Sequence, residues 1–423
     1  MDKRRITMDK LIGACLVAQS GGPTAVINAS AYGVIRTALD DPNITHVYGA
    51  AHGIRGVLDD ILYDMDQEDE HELRLLLNTP SASLGSCRYK LKNYIDDDTD
   101  YRRILEVFQK HDIRYFFYIG GNDSMDTCNK ISKFLQKENY LCRVIGVPKT
   151  IDNDLYGTDH CPGFGSAAKY VITSCMEMRR DCNVYDYYSA VIVEVMGRHA
   201  GWLAGAAGLA TASGDGPDLV YMPETDFDMD QFLSDVKRIM DERGDCMVVV
   251  SEGIHDKDGK FIAEYGVANS ATDSFGHKQL GGVASTLVSY VKEKLGVKKI
   301  RGVELSLLQR CSSHFASATD INESFAAGRA AVKAAVNGMT DKMMAFHRLT
   351  DVYGDYACEV VPQDLSLAAN TEKKVPREWI NEAGNGVTQE FVDYVLPLIQ
   401  GAPNLPLENG LPRFAKLKRI IAK

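Results

Sequence analysis

Short, almost unbroken apolar runs recur along this chain, each halted by small or polar residues, and amphipathic stretches of helical period follow most of them. The clearest runs are the one ending at Gln19, Tyr115 to Ile119, Val144 to Val147, Val191 to Val195, Leu219 to Met222 and Met247 to Val250. Helical patterns cover Ala25 to Leu39, Met125 to Gln136, Ala200 to Ala212, Leu280 to Leu295 and Glu323 to Val336. Runs apolar on both faces suit strands buried on both sides. Their alternation with helices predicts α/β architecture, with parallel sheets flanked by helices. At 423 residues the chain fits two open α/β domains better than one barrel, although periodicity alone leaves a barrel open.

Composition removes several function classes. Apolar residues at 45% and charged residues at 25% describe a globular protein and exclude a disordered chain, a collagen repeat and a coiled coil. No apolar run approaches the 18 or so residues of a membrane span, so none is expected. The basic, then apolar start reads as a first strand rather than a secretory signal. A net charge of −11 disfavours a grip on nucleic acid, so any phosphate must be held by local cations and backbone amides. The 10 cysteines lack a CxxC pair or zinc spacing and read as free thiols in a reducing cytoplasm. Asp64 to Glu72 reads as a solvated acidic loop and helix start. After Ala345 the rhythm gives way to loops around one helix near Val387 to Ile399.

Chemistry-bearing residues gather where the runs end. Ser20-Gly21-Gly22 and Gly120-Gly121-Asn122-Asp123-Ser124 each join a strand to a helix, where glycines let backbone amides and a helix N-terminus approach an anion. Neither turn is a G-x-x-x-x-G-K-[ST] loop or a G-x-G-x-x-G fingerprint, which argues against P-loop and dinucleotide folds. Val144 to Val147 leads into Pro148-Lys149-Thr150-Ile151-Asp152-Asn153-Asp154, with a lysine beside two carboxylates. That set can hold a transferring phosphoryl group while one acid takes a hydroxyl proton, although Asp and Asn also favour ordinary polar turns. Met196-Gly197-Arg198 closes a fourth run and offers a guanidinium to an oxyanion. Ser251-Glu252-Gly253 closes another, and Arg310 follows the strand-like stretch Val303 to Leu308; His199 reads as structural.

Taken in order, S-G-G, L-G-S-x-R (Leu84 to Arg88), G-G-N-D-S, P-K-T-I-D-N-D, E-V-M-G-R and S-E-G resemble the 6-phosphofructokinase family over roughly residues 12 to 338. The resemblance implies two Rossmann-like open parallel-sheet domains with the active site in the cleft between them. It sets residues 1–164 with 310–400 as a donor-binding domain, 165–309 as a sugar-phosphate domain and 401–423 as a C-terminal helical tail. It implies Asp152 as the base for the sugar 1-hydroxyl. Thr150, Ile151, Met196, Gly197, Arg198, Glu252, Arg301 and Arg310 would hold fructose 6-phosphate. Gly21, Arg88 and Lys149 would face the donor, and Asn122 a Mg²⁺ ion. ATP-using members usually read G-G-D-G-S and P-G-T-I-D-N-D; Asp123 and Lys149 here resemble the pyrophosphate-dependent branch. A carboxylate placed 4 Å from an ATP phosphate would repel it by on the order of 4 kcal/mol at an effective dielectric of about 20. The resemblance therefore implies reversible phosphoryl transfer from pyrophosphate to fructose 6-phosphate, with Asp152, Lys149 and Asp123 central to it. It also implies a cytoplasmic homodimer or homotetramer with no nucleic-acid or membrane partner. The rivals are an ATP-dependent enzyme and a silent regulatory subunit; the latter is expected to have lost Asp152 or Arg198, both present. Ser189 and Leu307 stand where many members place an arginine and a polar or aromatic sugar-phosphate contact.

Overall fold

The computed structural model describes residues 10–182, 184, 187–266, 282–368 and 371–423. Two sheets organise them. The strands in chain order are β1 (Gly13–Gln19), β2 (Ile44–Ala50), β3 (Leu62–Asp64), β4 (Ile113–Gly120), β5 (Arg143–Pro148), β6 (Ser189–Val195), β7 (Leu219–Tyr221), β8 (Asp245–Ser251), β9 (Lys299–Glu304), β10 (Lys342–Thr350) and β11 (Tyr356–Asp364). The larger sheet has the order β11-β10-β5-β4-β1-β2-β3 and the smaller one β7-β8-β6-β9. The smaller sheet is parallel throughout. In the larger sheet only β3 and β11, at its two edges, run antiparallel to their neighbours. All six apolar runs are strands.

Register carries the functional consequence. Gln19 pairs with Ile119, and Gly120 with Pro148, so β1, β4 and β5 end level with one another. Their following turns, Ser20–Gly22, Gly121–Ser124 and Lys149–Asp154, are thereby set side by side. In the smaller sheet Val195 pairs with Ser251, and Glu194 with Glu304, which aligns the Met196–Arg198 and Glu252 turns in the same way.

Apolar clusters lie on both faces of each sheet. Two helices, Ile27–Leu39 and Ala318–Val336, cross on the larger sheet with their backbones nearly touching. Only glycine fits there: a Cβ on Gly33 would stand 2.3 Å from the Phe325 carbonyl oxygen, and one on Gly328 2.1 Å from that of Ser30.

Several features differ from the sequence expectations. The longest surprise is the helix Phe164–Cys182, whose start is capped from a distance: buried Asp320 accepts from the Gly163 and Ser166 N–H groups, both at 2.9 Å. Residues after Ala345 are not simply loops, because β10 and β11 form a long antiparallel hairpin beside β5. The expected helix near Val387 to Ile399 is present as Gln389–Val395. Val375, Ile380, Phe391, Tyr394, Val395 and Leu398 join the apolar cluster that holds Trp202, Phe164 and the β6 and β8 side chains, rather than the clusters of the larger sheet. Residues 401–423 contain no helix: they carry a two-residue ribbon, Leu407–Glu408 with Leu411–Pro412, and then run extended along β3. The helical pattern from Leu280 is present as Val283–Leu295; its first two residues, like the basic start of the chain, lie outside the described residues.

The acidic stretch Asp64 to Glu72 does more than face solvent. Glu72 accepts from Arg413 and, at 2.6 Å, from the Lys416 N–H. Glu68 accepts from the Lys418 and Arg419 N–H groups at 2.8 and 2.7 Å, so the acidic segment holds the basic C-terminus against the sheet edge.

Candidate active site

A cleft of about 740 Å³ opens where the two sheets' strand ends face each other. Its walls include Gly21, Arg88, Asn122, Asp123, Lys149, Thr150, Asp152, Asp154 and Arg198. The sequence motifs thus converge, as ligand sites of open α/β sheets do, outside the carboxyl ends of the strands.

The first turn is shaped by its cations. Gly21 has φ +75°, a left-handed conformation, and its N–H donates to the Cys87 carbonyl at 3.3 Å. Lys149 Nζ donates to the Gly22 carbonyl at 2.6 Å. A Cβ on Gly21 would stand 3.2 Å from that ammonium, and one on Gly22 would stand 3.2 Å from Arg310 Nη1. Glycines here admit two cations to the turn. Lys149 is 3% exposed, and burial pushes its pKa down to about 8, with Asp152 and Asp154 opposing and Arg310 and Arg88 assisting. The shift works against a charge the site keeps.

The carboxylates show the converse strain. Asp152 and Asp154 flank Asn153, which is fully buried with φ +55°. Burial pushes the Asp152 carboxyl up towards neutrality, followed by Asp154 and Glu252, while Lys149 and Arg310 pull it back. Asp154 is raised by burial and then by Glu372. Asn122 Nδ2 donates to Asp154 at 3.2 Å, whereas its buried Oδ1 has no hydrogen-bond partner. An unpartnered amide oxygen beside two strained carboxylates matches the oxygen donors that Mg²⁺ takes.

Asp123, exposed, lines the cleft from the first turn of helix Asn122–Lys137. It does not cap that helix: the N-cap is Gly121, and no side chain bonds there. Asp126 and Thr127, one turn on, also line the cleft and were missed; their spacing of three and four from Asp123 is the signal that could have found them. Tyr89, Thr371, Glu372 and Lys374 were missed as well, and the last three have no local pattern pointing to the cleft.

From the smaller sheet, Arg198 enters the cleft. Gly197, at φ +131°, donates its N–H to Glu252 Oε1 at 3.3 Å, and Met196 N–H donates to Gln309 Oε1 at 3.0 Å. A Cβ on Gly197 would meet the Ala200 carbonyl at 2.5 Å, so the tight turn that aims Arg198 needs glycine. Burial raises the Glu252 carboxyl. His199, expected to be structural, lines the cleft and pairs with Glu372 at 2.9 Å.

Of the residues expected to hold the sugar phosphate, Thr150 and Arg198 line the cleft, Met196, Gly197, Glu252 and Arg310 stand on the turns beside it, and Ile151 and Arg301 depart further. The Ile151 side chain is buried in the apolar cluster, so only its backbone can reach a ligand. Arg301 lies in mid-strand on β9, is 71% exposed at its side chain and pairs with Asp181 at 3.3 Å; within this chain it does not line the cleft. The strand ends at Glu304, not Leu308, and Leu308–Cys311 is a helical turn that directs Arg310 back towards Gly22.

A family model described as Phosphofructokinase matches residues 14–303. The chain is 47% identical over 406 residues to a pyrophosphate–fructose 6-phosphate 1-phosphotransferase of Halomonas elongata, covering 95% of each chain. It is 46% identical over 412 residues to one of Xanthomonas campestris, covering 96% of this chain and 97% of that one. The solved structure of a pyrophosphate-dependent phosphofructokinase from Marinobacter aquaeolei superposes with a TM-score of 0.87 at 42% identity, covering 97% of this chain and 98% of that one.

Proposed function

The chain belongs to the phosphofructokinase family, and we propose that it moves a phosphoryl group reversibly between pyrophosphate and the 1-hydroxyl of fructose 6-phosphate, giving fructose 1,6-bisphosphate and phosphate. One observation carries the choice of donor: Asp123 and Lys149 line the same cleft, the carboxylate exposed on the first turn of helix Asn122–Lys137 and the ammonium buried against the Gly22 carbonyl. An ATP α-phosphate would meet the Asp123 charge, whereas the shorter pyrophosphate can sit on Lys149, Arg88 and the Gly21 turn without it.

Phosphoryl transfer asks chiefly for positioning and charge stabilisation. Lys149 would hold the charge that develops as pyrophosphate is cleaved. Asp152, whose pKa burial and then Asp154 raise to about 7, would take the proton from the sugar 1-hydroxyl as the carboxylate, and a base poised near the working pH is the efficient one. Thr150, the Ile151 backbone, Met196, Gly197, Arg198, Glu252 and Arg310 would orient the sugar phosphate. Asn122, with Asp154, would hold Mg²⁺, which when bound supplies positive charge to the pyrophosphate oxygens. Arg301, exposed on β9, would contribute only across an interface in the homodimer or homotetramer that belongs to the same proposal. No helix among the described residues is long and apolar enough to cross a membrane, and the substrates point to the cytoplasm. Parallel assays with pyrophosphate and ATP as donors, with and without Mg²⁺, test the proposal. Turnover with ATP and none with pyrophosphate would overturn it.

A further inference from the structure

Beyond the recognised motifs, residues 371–375 cross the floor of the cleft as a short strap. Glu372 pairs with Leu155 in an antiparallel bridge, and the Lys373 N–H donates to the Asp154 carbonyl at 2.7 Å. On the other side, Trp202 Nε1 donates to the Lys373 carbonyl at 3.0 Å, and Val375 N–H donates to Glu224 at 3.0 Å. The strap therefore touches both the loop that carries Asp152 and the helix behind Arg198.

Its centre is the Lys373 ammonium. It donates to the carbonyls of Asp159 at 2.5 Å and Thr158 at 3.3 Å and to Asn153 Oδ1 at 3.4 Å, and it lies 5.0 Å from the centre of the Trp202 ring. Asn153 also accepts from the Cys161 N–H at 2.9 Å and donates to Tyr394 Oη at 2.8 Å, and Tyr394 Oη donates on to the Asp159 carbonyl at 2.6 Å. Every one of these bonds closes on the loop 153–161. That loop holds Asn153 in a left-handed conformation between Asp152 and Asp154, one that asparagine adopts more readily than most residues and that these bonds keep in place.

We propose that Lys373 is a positioning residue for phosphoryl transfer: its ammonium locks the 153–159 loop and so fixes where the Asp152 carboxylate stands. Lys373 does not line the cleft and acts through the loop. The inference rests on the phosphoryl-transfer reading of the cleft. A displacement of about 1 Å in a reacting group can lower a rate about 10²-fold, so a modest relaxation of the loop is enough.

The test uses the full-length enzyme with Mg²⁺, pyrophosphate and fructose 6-phosphate. Lys373→Met should lower kcat by about 10²-fold and leave both KM values within about twofold, the pattern of a lost transition-state alignment. Lys373→Ala should behave alike and regain kcat when propylammonium is added, which a purely structural loss would not permit. Tyr394→Phe, which keeps the ring but removes the hydroxyl joining Asn153 to Asp159, should lower kcat less, with KM again unchanged. It also serves if the lysine variants do not fold. A kcat per folded molecule equal to wild type in the folded variants, whatever their melting temperature, overturns the inference. A wild-type enzyme inactive with pyrophosphate in the same assay overturns the reaction itself, and the inference with it.

Discussion

Lys149→Met should make the protein more stable and inactive at the same time. The folded site holds the Lys149 proton less tightly than water does: the drop from 10.5 to about 8 is about 3 kcal/mol against the charged form at neutral pH. Methionine removes that penalty and keeps most of the side-chain volume. One loss offsets it. The Gly22 carbonyl loses its donor at 2.6 Å, returning about 1–2 kcal/mol, while the attraction to Asp152 and Asp154 is already contained in the lowered pKa. A net gain of about 1–2 kcal/mol remains, a rise in Tm of about 1–2 °C for a chain of this length. The pH dependence fixes the sign. Between about pH 8 and 10.5 an unfolded lysine keeps its proton while the folded one has lost it, so wild-type stability rises with pH across that window. The variant's advantage is therefore full below about pH 8 and gone above the unfolded value. Thermal melts at pH 7 and pH 9.5, beside kcat/KM for pyrophosphate, measure both effects. A variant that melts lower than wild type at pH 7 would show that Lys149 stabilises the fold, and the argument from burial would be wrong.

Further outcomes follow from the same geometry. Asp152→Asn should lower kcat by about 10²–10⁴-fold with little change in the KM for fructose 6-phosphate; near wild-type kcat would pass the base role to Asp154. Asp123→Gly should admit ATP, measured as a gain in kcat/KM for that donor. Because Asp123 caps nothing, its melt should fall only by the helix propensity cost of about 1 kcal/mol, and a lower melt with no ATP turnover would refute the charge argument. In the free enzyme, kcat/KM for pyrophosphate should fall as pH rises through about 8, where Lys149 loses its proton, and a profile flat from about pH 7 to pH 9 would refute that assignment. Glu72→Gln should cost about 1–3 kcal/mol by freeing the C-terminal segment. Burial pushes Glu72 up, but the Lys416 N–H and Arg413 hold it below the usual glutamate range. The difference from wild type is thus present above that range and lost as pH falls through the folded value, which acid titration of both melts would reveal.

What the sequence made legible were contacts made close by in the chain. β1, β4, β5, β6 and β8 are buried on both faces, so their residues are mostly apolar and their ends stand out, and the motifs sit on those ends. The edge strand β9 is mostly exposed and reads K-I-R-G-V-E, so its charges hid it, while the apolar stretch just after it is a turn with Leu307 and Leu308 in the open. Helix Phe164–Cys182 begins with small residues and has its cap in Asp320, more than 150 residues later. The hairpin β10–β11 touches β5 only at Lys342 and Met343, so much of it faces solvent and carries alternating polar residues that resemble loop. Thr371, Glu372 and Lys374 reach the cleft only because Lys373 is held beneath the 153–159 loop, a contact no spacing encodes.

The interleaving of the larger sheet sets an order of assembly during synthesis. Strands β6 to β9 come from one continuous stretch, so their sheet is complete once Glu304 has emerged. The sheet begun by β1 must wait: β10 and β11 extend one edge from residues 342–364, and Ile420 and Ala422 bond to the other through Asp64 and Leu62. A growing chain thus displays a finished β6–β9 sheet next to an unfinished larger one, and the 153–159 loop gains its Lys373 contacts only after residue 373 has emerged. A chain that stopped before residue 342 would lack both closing edges of the larger sheet and every contact that residues 371–375 make with the 153–161 loop.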